Sequence, residues 1–539
     1  MKRAKLVDEL AGRIFGLRKA TTGYAVTAVR IPARDGIELA ADLYRPAGPP
    51  VGTLLARGPY GRGLPMSLNV ARLYAARGYQ VLFVSSRGTF GSGGTFLPER
   101  TEAADGQDVV AWMRKQDWFT GAFATLGGSY LGYTQWALLS DPPPELVAAV
   151  ITMAPHDFAR HHWGTGAFTL DFLGWSDLIA HQEDGGLAPL YRQLTVGRRL
   201  APVMAGLPLA DTAERHFNGR APWYHDMVTT PDVADPFWAP TRHLEALERV
   251  AVPVLLQGGW QDIFLEQTVS QYERLHERGI DVALTIGPWT HVEMAAKAAQ
   301  RMAQESLAWL DEHVAQQHGR VRTAPVQIYL TGAEEWRDYP VWPPSTTGHE
   351  LHLTATGLTT TPADEPSHSS FTFDPARPTP TISGPLMSGG GQRRDDDLAA
   401  RPDVLSFTST PLTADLDLLG APVVELAHTS DNPHADLFVR VSDVSPDGTS
   451  RNITEGYRRL APDRPDAPVT ITLRDIAHRF RAGHRIRLLI AGGSHPQYAR
   501  NLGTGANPGT GAELHPTRHT VWHNASTLTM PTVDGQNTV

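Results

Sequence analysis

The chain has no cysteine among its 539 residues. Disulfides, thiolate metal sites and a cysteine nucleophile are therefore excluded. It also lacks an apolar run of the ~20 residues that a membrane helix requires. A basic excess is missing too: the net charge is -9, which argues against a nucleic-acid partner. The opening residues Met1-Lys2-Arg3-Ala4-Lys5-Leu6 are basic, but Asp8, Glu9 and Arg13 break up the apolar residues after them. No export signal is read there, and the cytoplasm is the expected compartment. The same stretch reads as an amphipathic helix with Leu6, Leu10, Ile14 and Leu17 on one face. No internal repeat is evident.

What is present is enough for about two to four domains. Residues 24–45 alternate around Asp35-Gly36, the pattern of a hairpin. Val51 to Ala56 and Val81 to Val84 suit buried strands, with helical spacing at Ala71 to Arg77 and at Ala103 to Lys115. That alternation predicts an α/β sheet. Strand signals nearly vanish from about 155 to 240, where apolar residues recur at helical spacing. Strands resume at Val252 to Leu256 and Val282 to Ile286, with helices near Thr268 to Arg278 and Ala299 to Gln316. After His318 the chain turns to short alternating strands: Val326 to Leu330, Val423 to Leu426, Asp436 to Val441, Val469 to Leu473 and Arg485 to Ile490. These read as an all-β sandwich.

Chemistry is concentrated at Gly127-Gly128-Ser129-Tyr130-Leu131-Gly132. An apolar run, Phe123 to Leu126, precedes it and a helical run through Trp136 to Leu139 comes after it. Strand, glycine-flanked serine and helix is the layout of a nucleophile elbow, in which a strained turn lifts the serine oxygen clear of the backbone. The helix N-terminus then offers free N–H groups to an oxyanion. The second glycine comes one residue later than in the common Gly-x-Ser-x-Gly pattern.

A serine nucleophile needs a base, and the base needs an orienting carboxylate. Asp262 lies just past the strand that runs into Gln257-Gly258-Gly259-Trp260-Gln261. His291 lies just past the strand that runs into Gly287-Pro288-Trp289-Thr290. The order Ser, Asp, His at strand ends is that of α/β-hydrolases.

These segments resemble the CocE/NonD hydrolases, the group of cocaine esterases, α-amino-acid ester hydrolases and X-Pro dipeptidyl-peptidases. The resemblance rests on Gly127-x-Ser129-Tyr130-x-Gly132, Gly259-Trp260-x-Asp262 and Gly287-Pro288-Trp289-x-His291. It extends to Asp35-Gly36-Ile37, Arg57-Gly58-Pro59-Tyr60, Glu102-x-x-Asp105-Gly106-x-Asp108, Trp342-Pro343 and Pro496-x-Tyr498-x-Arg500-Asn501. The late Gly132 is this family's own pattern. One departure is Ser86 before Arg87-Gly88, where the family commonly carries aspartate. That glycine-rich loop is read as structural, since it lacks the ending of a phosphate-binding loop.

The resemblance implies an α/β-hydrolase domain with an inserted helical cap and a C-terminal all-β jelly-roll sandwich. The expected bounds are 1–152 and 244–320 for the hydrolase domain, 153–243 for the cap and 325–539 for the jelly roll. Ser129, Asp262 and His291 would form the triad, with the Tyr60 hydroxyl and the Tyr130 N–H as oxyanion hole. Trp175 and Phe264, with Trp260 and Trp163, would line an apolar substrate pocket. The expected activity is hydrolysis of small carboxylic esters through an acyl-enzyme, without cofactor or metal.

Three alternatives stay open: an amide or X-Pro peptide hydrolase, acyl transfer to an acceptor other than water, and a non-catalytic binding protein. An amide enzyme of this scaffold needs carboxylates for a substrate ammonium, for which Asp171, Asp177, Glu183 and Asp184 are candidates. A homo-oligomer is left open. His156-Asp157 and His161-His162 match no recurrent metal spacing. Arg393-Arg394-Asp395-Asp396-Asp397 reads as a solvated turn, and Asp447-Gly448 as a hairpin turn.

Overall fold

The computed structural model describes residues 2–186, 188–317, 322–362, 365–463 and 467–534. It divides into two compact units. The first is Met1–Phe158, Pro236–Gly259 and Phe264–Gln327; the second is Ala159–Asp235, Trp260–Ile263 and Ile328–Val539.

In the first unit, Asp35-Gly36 turns the chain between β1 (Tyr24–Pro32) and β2 (Glu38–Pro46), an antiparallel pair. Gly36 takes φ 84°, a left-handed geometry that side chains resist. Next come β3 (Gly52–Gly58), β4 (Tyr79–Ser85), β5 (Phe123–Gly128), β6 (Leu146–Thr152), β7 (Val254–Gln261) and β8 (Val282–Thr290). Within a sheet of ten strands these eight follow the order β1-β2-β4-β3-β5-β6-β7-β8. The pairs β3–β4, β3–β5, β5–β6 and β6–β7 are parallel. Parallel strands are covered on both faces, so they read as unbroken apolar runs; β4 is buried at every position. The strands β7 and β8 both run further than their apolar cores predict.

Helix α1 (Lys2–Ile14) opens the chain. Its orientation corrects the expected apolar face. Leu10 and Ile14 are exposed, while Asp8 and Ala11 are buried. Asp8 decides this: it accepts hydrogen bonds from Tyr24 Oη at 2.6 Å and Arg72 Nε at 2.9 Å. Charge-assisted hydrogen bonds are among the strong ones, and this one turns the Asp8 face of the helix inward. Leu17 packs on the core as expected, and the Leu6 side chain lies outside the described residues. The expected helix from Ala71 starts earlier, as a π-turn at Leu68–Arg72 that runs into α2 (Leu73–Ala75). Helices α3 (Glu102–Met113) and α4 (Tyr130–Leu139) come next.

Among the described residues, the chain between β6 and β7 carries helices and no named strand. It carries α5 (Phe158–Trp163), α6 (Asp171–His181), α7 (Ala188–Ala205), α8 (Leu209–Phe217), α9 (Trp223–Thr229) and α10 (Leu244–Arg249). Helix α11 (Leu265–Glu277) comes after β7 and α12 (Ala299–His313) after β8.

The second unit gathers most of those helices with an all-β region. Leu209 and Ala210 N–H donate to Pro508 and Gly509 carbonyls, and Arg500 Nη2 donates to Ala205 O at 2.6 Å, at the C-terminal end of α7. The β region has one sheet of eight strands and one of four. The strand Thr517–Asp534 is the axis of the larger sheet, pairing with Thr347–Thr354, His368–Phe373, Leu416–Gly420 and Val423–Ser430. The smaller sheet pairs Asp436–Val444 with Ser450–Arg459 across the expected Asp447-Gly448 turn. There, Asp447 accepts from Ser445 Oγ and Thr449 N–H, which together hold its carboxyl down at about 2.

The charged run at Arg393 to Asp397 is solvated at Arg393, Arg394 and Asp397 but not at Asp395. Asp395 is buried, accepts Ser442 Oγ–H at 2.6 Å and lies 3.8 Å from the buried Arg440. Arg440 also pairs with Glu455 at 2.6 Å. Replacing Arg440 with Met leaves two carboxylates buried around an apolar side chain, at an expected cost of about 3–5 kcal/mol. Urea unfolding of the variant against the parent measures this; equal midpoints would contradict it.

Candidate active site

Ser129 is where strand becomes helix. It follows β5 and precedes α4 directly, with φ 55° and ψ -128°. A non-glycine residue in that region is strained and persists only when its surroundings over-determine it. Here they do. Ser129 N–H donates to Thr152 O of β6 at 2.9 Å, and its carbonyl accepts Gly132 N–H at 2.8 Å. Gln135 Nε2 in α4 donates to Val150 O at 3.0 Å and Gly127 O at 3.2 Å, tying the helix to β5 and β6.

The glycines around Ser129 answer to packing. A Cβ on Gly127, at φ 149°, would meet Leu131 Cβ at 2.5 Å. One on Gly132 would meet Ala154 Cβ at 2.3 Å. At Gly132, α4 passes too close to the chain leaving β6 for a side chain to fit, which accounts for glycine there. A Cβ on Gly128 would meet Met294 Sδ at 2.5 Å.

His291 is the first residue after β8. Its Nε2 lies 2.9 Å from Ser129 Oγ, a hydrogen bond that leaves Nδ1 to an orienting partner. His291 is buried, and Ser129 is half-buried. The Phe264 ring stands edge-on to the imidazole with centroids 5.3 Å apart. Phe264 also meets Phe158, which packs on Tyr133 and Tyr130. A capping box fixes the turn that carries His291: Thr290 caps it, and Glu293 Oε2 accepts Thr290 N–H at 3.0 Å. Burial opposes ionisation of Glu293, but the bonds from Lys297 and Thr290 outweigh it and hold the carboxyl below its ordinary value. The Thr-x-x-Glu spacing signals this box in the sequence. Met294 and Gln135 carried no such signal.

Asp262 is the first residue after β7 and is fully buried. It belongs to the second unit, where its carbonyl accepts Arg474 Nη2–H at 2.7 Å. Tyr60 follows the end of β3, half-buried against the apolar core of the first unit. The Tyr130 phenol accepts Glu99 N–H at 2.7 Å, while its main-chain N–H lies in the first turn of α4.

The aromatic residues of the expected pocket differ in their surroundings. Trp163 Nε1 donates to Met227 O at 2.9 Å and its ring packs on Phe168. Trp260 Nε1 donates to Tyr329 O at 2.7 Å with its ring on Trp342. Trp175 is stacked on Phe172 with centroids 5.3 Å apart. Among the described residues, no three His, Cys, Asp or Glu side chains are gathered as a metal set. No helix among them is long and apolar enough to cross a membrane.

Residues 35–293 match the X-Pro dipeptidyl-peptidase (S15 family) model, and residues 318–529 match the X-Pro dipeptidyl-peptidase C-terminal non-catalytic domain. A cocaine esterase of Rhodococcus sp. (strain MB1 Bresler) is 29% identical over 89% of this chain and 93% of its own length. Two solved structures share the fold, each with a TM-score of 0.79 at 22% identity over 95% of this chain and 97% of theirs. One is an α-amino acid ester hydrolase, the other an aminopeptidase from a Thaumarchaeota archaeon of marine sediment. A parallel sheet, a strained serine and a histidine on its hydroxyl define a serine hydrolase. The chain is a serine hydrolase whose two matched regions are those of the X-Pro dipeptidyl-peptidase (S15) family.

A second buried histidine borders the elbow. His243 Nε2 lies 3.0 Å from Tyr133 Oη, and Nδ1 lies 3.1 Å from Ser140 Oγ. Burial, with Arg57 adding to it, pushes its pKa down to about 4. The unfolded chain therefore takes up a proton near pH 6.5 that the folded chain refuses until about 4. The stability from neutral His243 is complete above the unfolded value and drains away as pH falls through that window. Between about pH 7 and about pH 5, His243→Gln should lose about 2 kcal/mol less stability than the parent. Urea unfolding at the two pH values measures this, and parallel losses would contradict it.

The close packing at the elbow is testable as well. Gly132→Ala should force α4 off β6 and lower esterase kcat by about tenfold or more. Unchanged kcat in the variant would show that the close approach is not needed.

Proposed function

We propose that the chain hydrolyses small carboxylic esters by two-step acyl transfer at Ser129. The Ser129–His291 hydrogen bond carries the reading. His291 takes the Ser129 proton as the oxygen attacks the ester carbonyl. Tyr60 Oη–H and Tyr130 N–H donate to the oxyanion; a phenol strengthens its bond as charge develops. His291 then protonates the leaving alcohol, and with its help water releases the acid. Asp262 holds the Nδ1–H tautomer and stabilises the imidazolium. Its position one residue past β7 supports that role.

The fold reading is an α/β-hydrolase domain (1–152 and 244–320), a helical cap (153–243) and a jelly roll (325–539). The two β sheets after residue 328 and the succession of helices between β6 and β7 support it. Phe264 against His291 supports an apolar wall for the substrate beside the base. Trp175 is read with it. Trp163 and Trp260 contribute their ring faces only, because their N–H groups are already spent on carbonyls.

Ester is favoured over amino-terminal peptide substrates by the charge state of the cap. Asp177 is met by Arg199 at 2.6 Å, His216 at 2.9 Å and Arg192 at 3.5 Å. Asp184 is met by Arg220 at 2.9 Å, and Asp171 by His161 at 3.3 Å. Asp177 and Asp184, each paired with arginine, offer little to a substrate ammonium. The related esterase and ester hydrolase carry the same emphasis in their names.

Ser129→Ala should abolish turnover of a nitrophenyl ester, a loss of about 10⁴-fold or more, with the fold intact by circular dichroism. Full activity in the purified variant would remove the assignment. The parent should cleave a nitrophenyl ester far faster than the matched anilide or an Xaa-Pro anilide. The reverse order would make it a peptidase.

A further inference from the structure

Tyr130 and Tyr133 share a face at the start of α4, three positions apart. Both are buried, and their rings meet edge to face with centroids 5.5 Å apart. Both phenols reach the main chain of one residue, Glu99, in the turn that leads into α3. Glu99 N–H donates to Tyr130 Oη at 2.7 Å, and Tyr133 Oη donates to Glu99 O at 2.5 Å. Glu99 takes φ 71°, a left-handed geometry that a residue with a side chain adopts only under constraint. The two phenols supply such a constraint, one on each of its main-chain groups.

The direction of the bonds around Tyr133 is fixed by proton count. A phenol has one proton and a carbonyl only accepts, so the Tyr133 proton is committed to Glu99 O. His243 Nε2, 3.0 Å from the same phenol oxygen, is then the donor. Burial keeps the His243 ring neutral, so Nδ1 carries no proton and accepts from Ser140 Oγ at 3.1 Å. The main-chain N–H of His243 donates to His156 O at 2.8 Å, which fixes the residue independently of its ring. Ser140 is the C-cap of α4, so the chain from Ser140 through His243 and Tyr133 to Glu99 braces the helix along its length.

The braced turn is the one that carries the nucleophile. Tyr133 N–H donates to Ser129 O at 3.0 Å. The Tyr133 ring also meets Phe158 edge to face with centroids 4.7 Å apart. Phe158 in turn meets Phe264, the ring that stands against His291. Ser129 Oγ must stay within hydrogen-bond reach of His291 Nε2, and a drift of α4 would carry it away.

We propose that Tyr133 is a positioning residue for the nucleophile: its phenol and that of Tyr130 grip the Glu99 main chain and so hold the first turn of α4, with Ser129, at one setting. The proposal rests on the reading of Ser129 as the nucleophile. A reacting atom displaced by even a fraction of an ångström loses much of the advantage of being held in place. A loosened turn should bind the ester as before and the tetrahedral state less well.

The experiment measures kcat and KM on a nitrophenyl ester together with inhibition by phenylboronic acid, whose adduct on Ser129 is tetrahedral. Tyr133→Phe keeps the ring and removes the hydroxyl. It should lower kcat about tenfold or more, leave KM within about twofold and weaken the boronate in step with kcat/KM. Adding Tyr130→Phe should then cost less than Tyr130→Phe on the parent, because both phenols hold one residue. Tyr24→Phe is the control for loosening of the fold in general. It loses the bond to Asp8 on β1, the end strand of the sheet, and should lower the urea midpoint with kcat unchanged. Unchanged kcat or boronate affinity in Tyr133→Phe, additive losses in the double variant, or an equal fall of kcat in Tyr24→Phe would each overturn the proposal. Should Tyr133→Phe fail to fold, Tyr130→Phe carries the test: lowered kcat with weakened boronate supports it, and parent values overturn it. Labelling of the parent with a fluorophosphonate separates the levels. An unlabelled Ser129 removes the nucleophile reading and this proposal with it. A labelled Ser129 with parent kcat and boronate affinity in Tyr133→Phe removes only the role of Tyr133.

Discussion

The main chain at Ser129 is the constraint on which the rest of the first unit depends. A serine at φ 55° is unfavourable by itself, by about 1–3 kcal/mol. It is held by β6 through Thr152 O, by the contact of Gly132 with Ala154, and by Gln135 reaching back to two strands. Each of those supports requires β6 to lie parallel beside β5. The fold and the strained serine are two descriptions of one set of contacts.

The chemistry depends on where the strands stop. Ser129 follows β5 and His291 follows β8, and the 2.9 Å bond between their side chains is made without any long flexible segment. The histidine is further fixed by the capping box at Thr290 and Glu293 and by the edge-on ring of Phe264. Around this pair lies a layer of buried polar groups: Tyr130, Tyr133, Glu99, Glu102, Arg57 and His243. Tyr133 Oη donates to Glu99 O at 2.5 Å and receives His243. A low local dielectric makes such a network strong when complete and costly when broken, so it suits a site whose geometry must not drift.

Much of this was legible in the sequence, and the parts that were not have physical reasons. Ser129 and His291 were readable because glycine punctuates both strand ends, and Gly36 marked the first hairpin. The strand β6 escaped notice: it is a short, non-alternating run just after Pro142-Pro143-Pro144, and a parallel strand carries no period. The strand Thr517–Asp534 escaped because it holds Asn524 and Pro531, and its four partners are distant in the chain. Buried ion pairs were the least visible. Asp395 stands in a run that composition marks as solvated, and only Ser442 and Arg440 make it a core residue. Glu102 was visible as part of a motif, but its meaning depends on Arg57, 45 positions away. The face of α1 was misread for the same reason, since Asp8 answers to Arg72.

The central claim is that Ser129 forms a covalent acyl-enzyme with His291 as its base. Rapid quenching of the enzyme with a nitrophenyl ester, followed by peptide mass spectrometry, tests it most directly. One acyl group is expected on the peptide containing Ser129, formed in a burst with nitrophenol release, and no burst is expected in His291→Ala. Turnover without any acylated Ser129 peptide, or an acyl group on another residue, would contradict it.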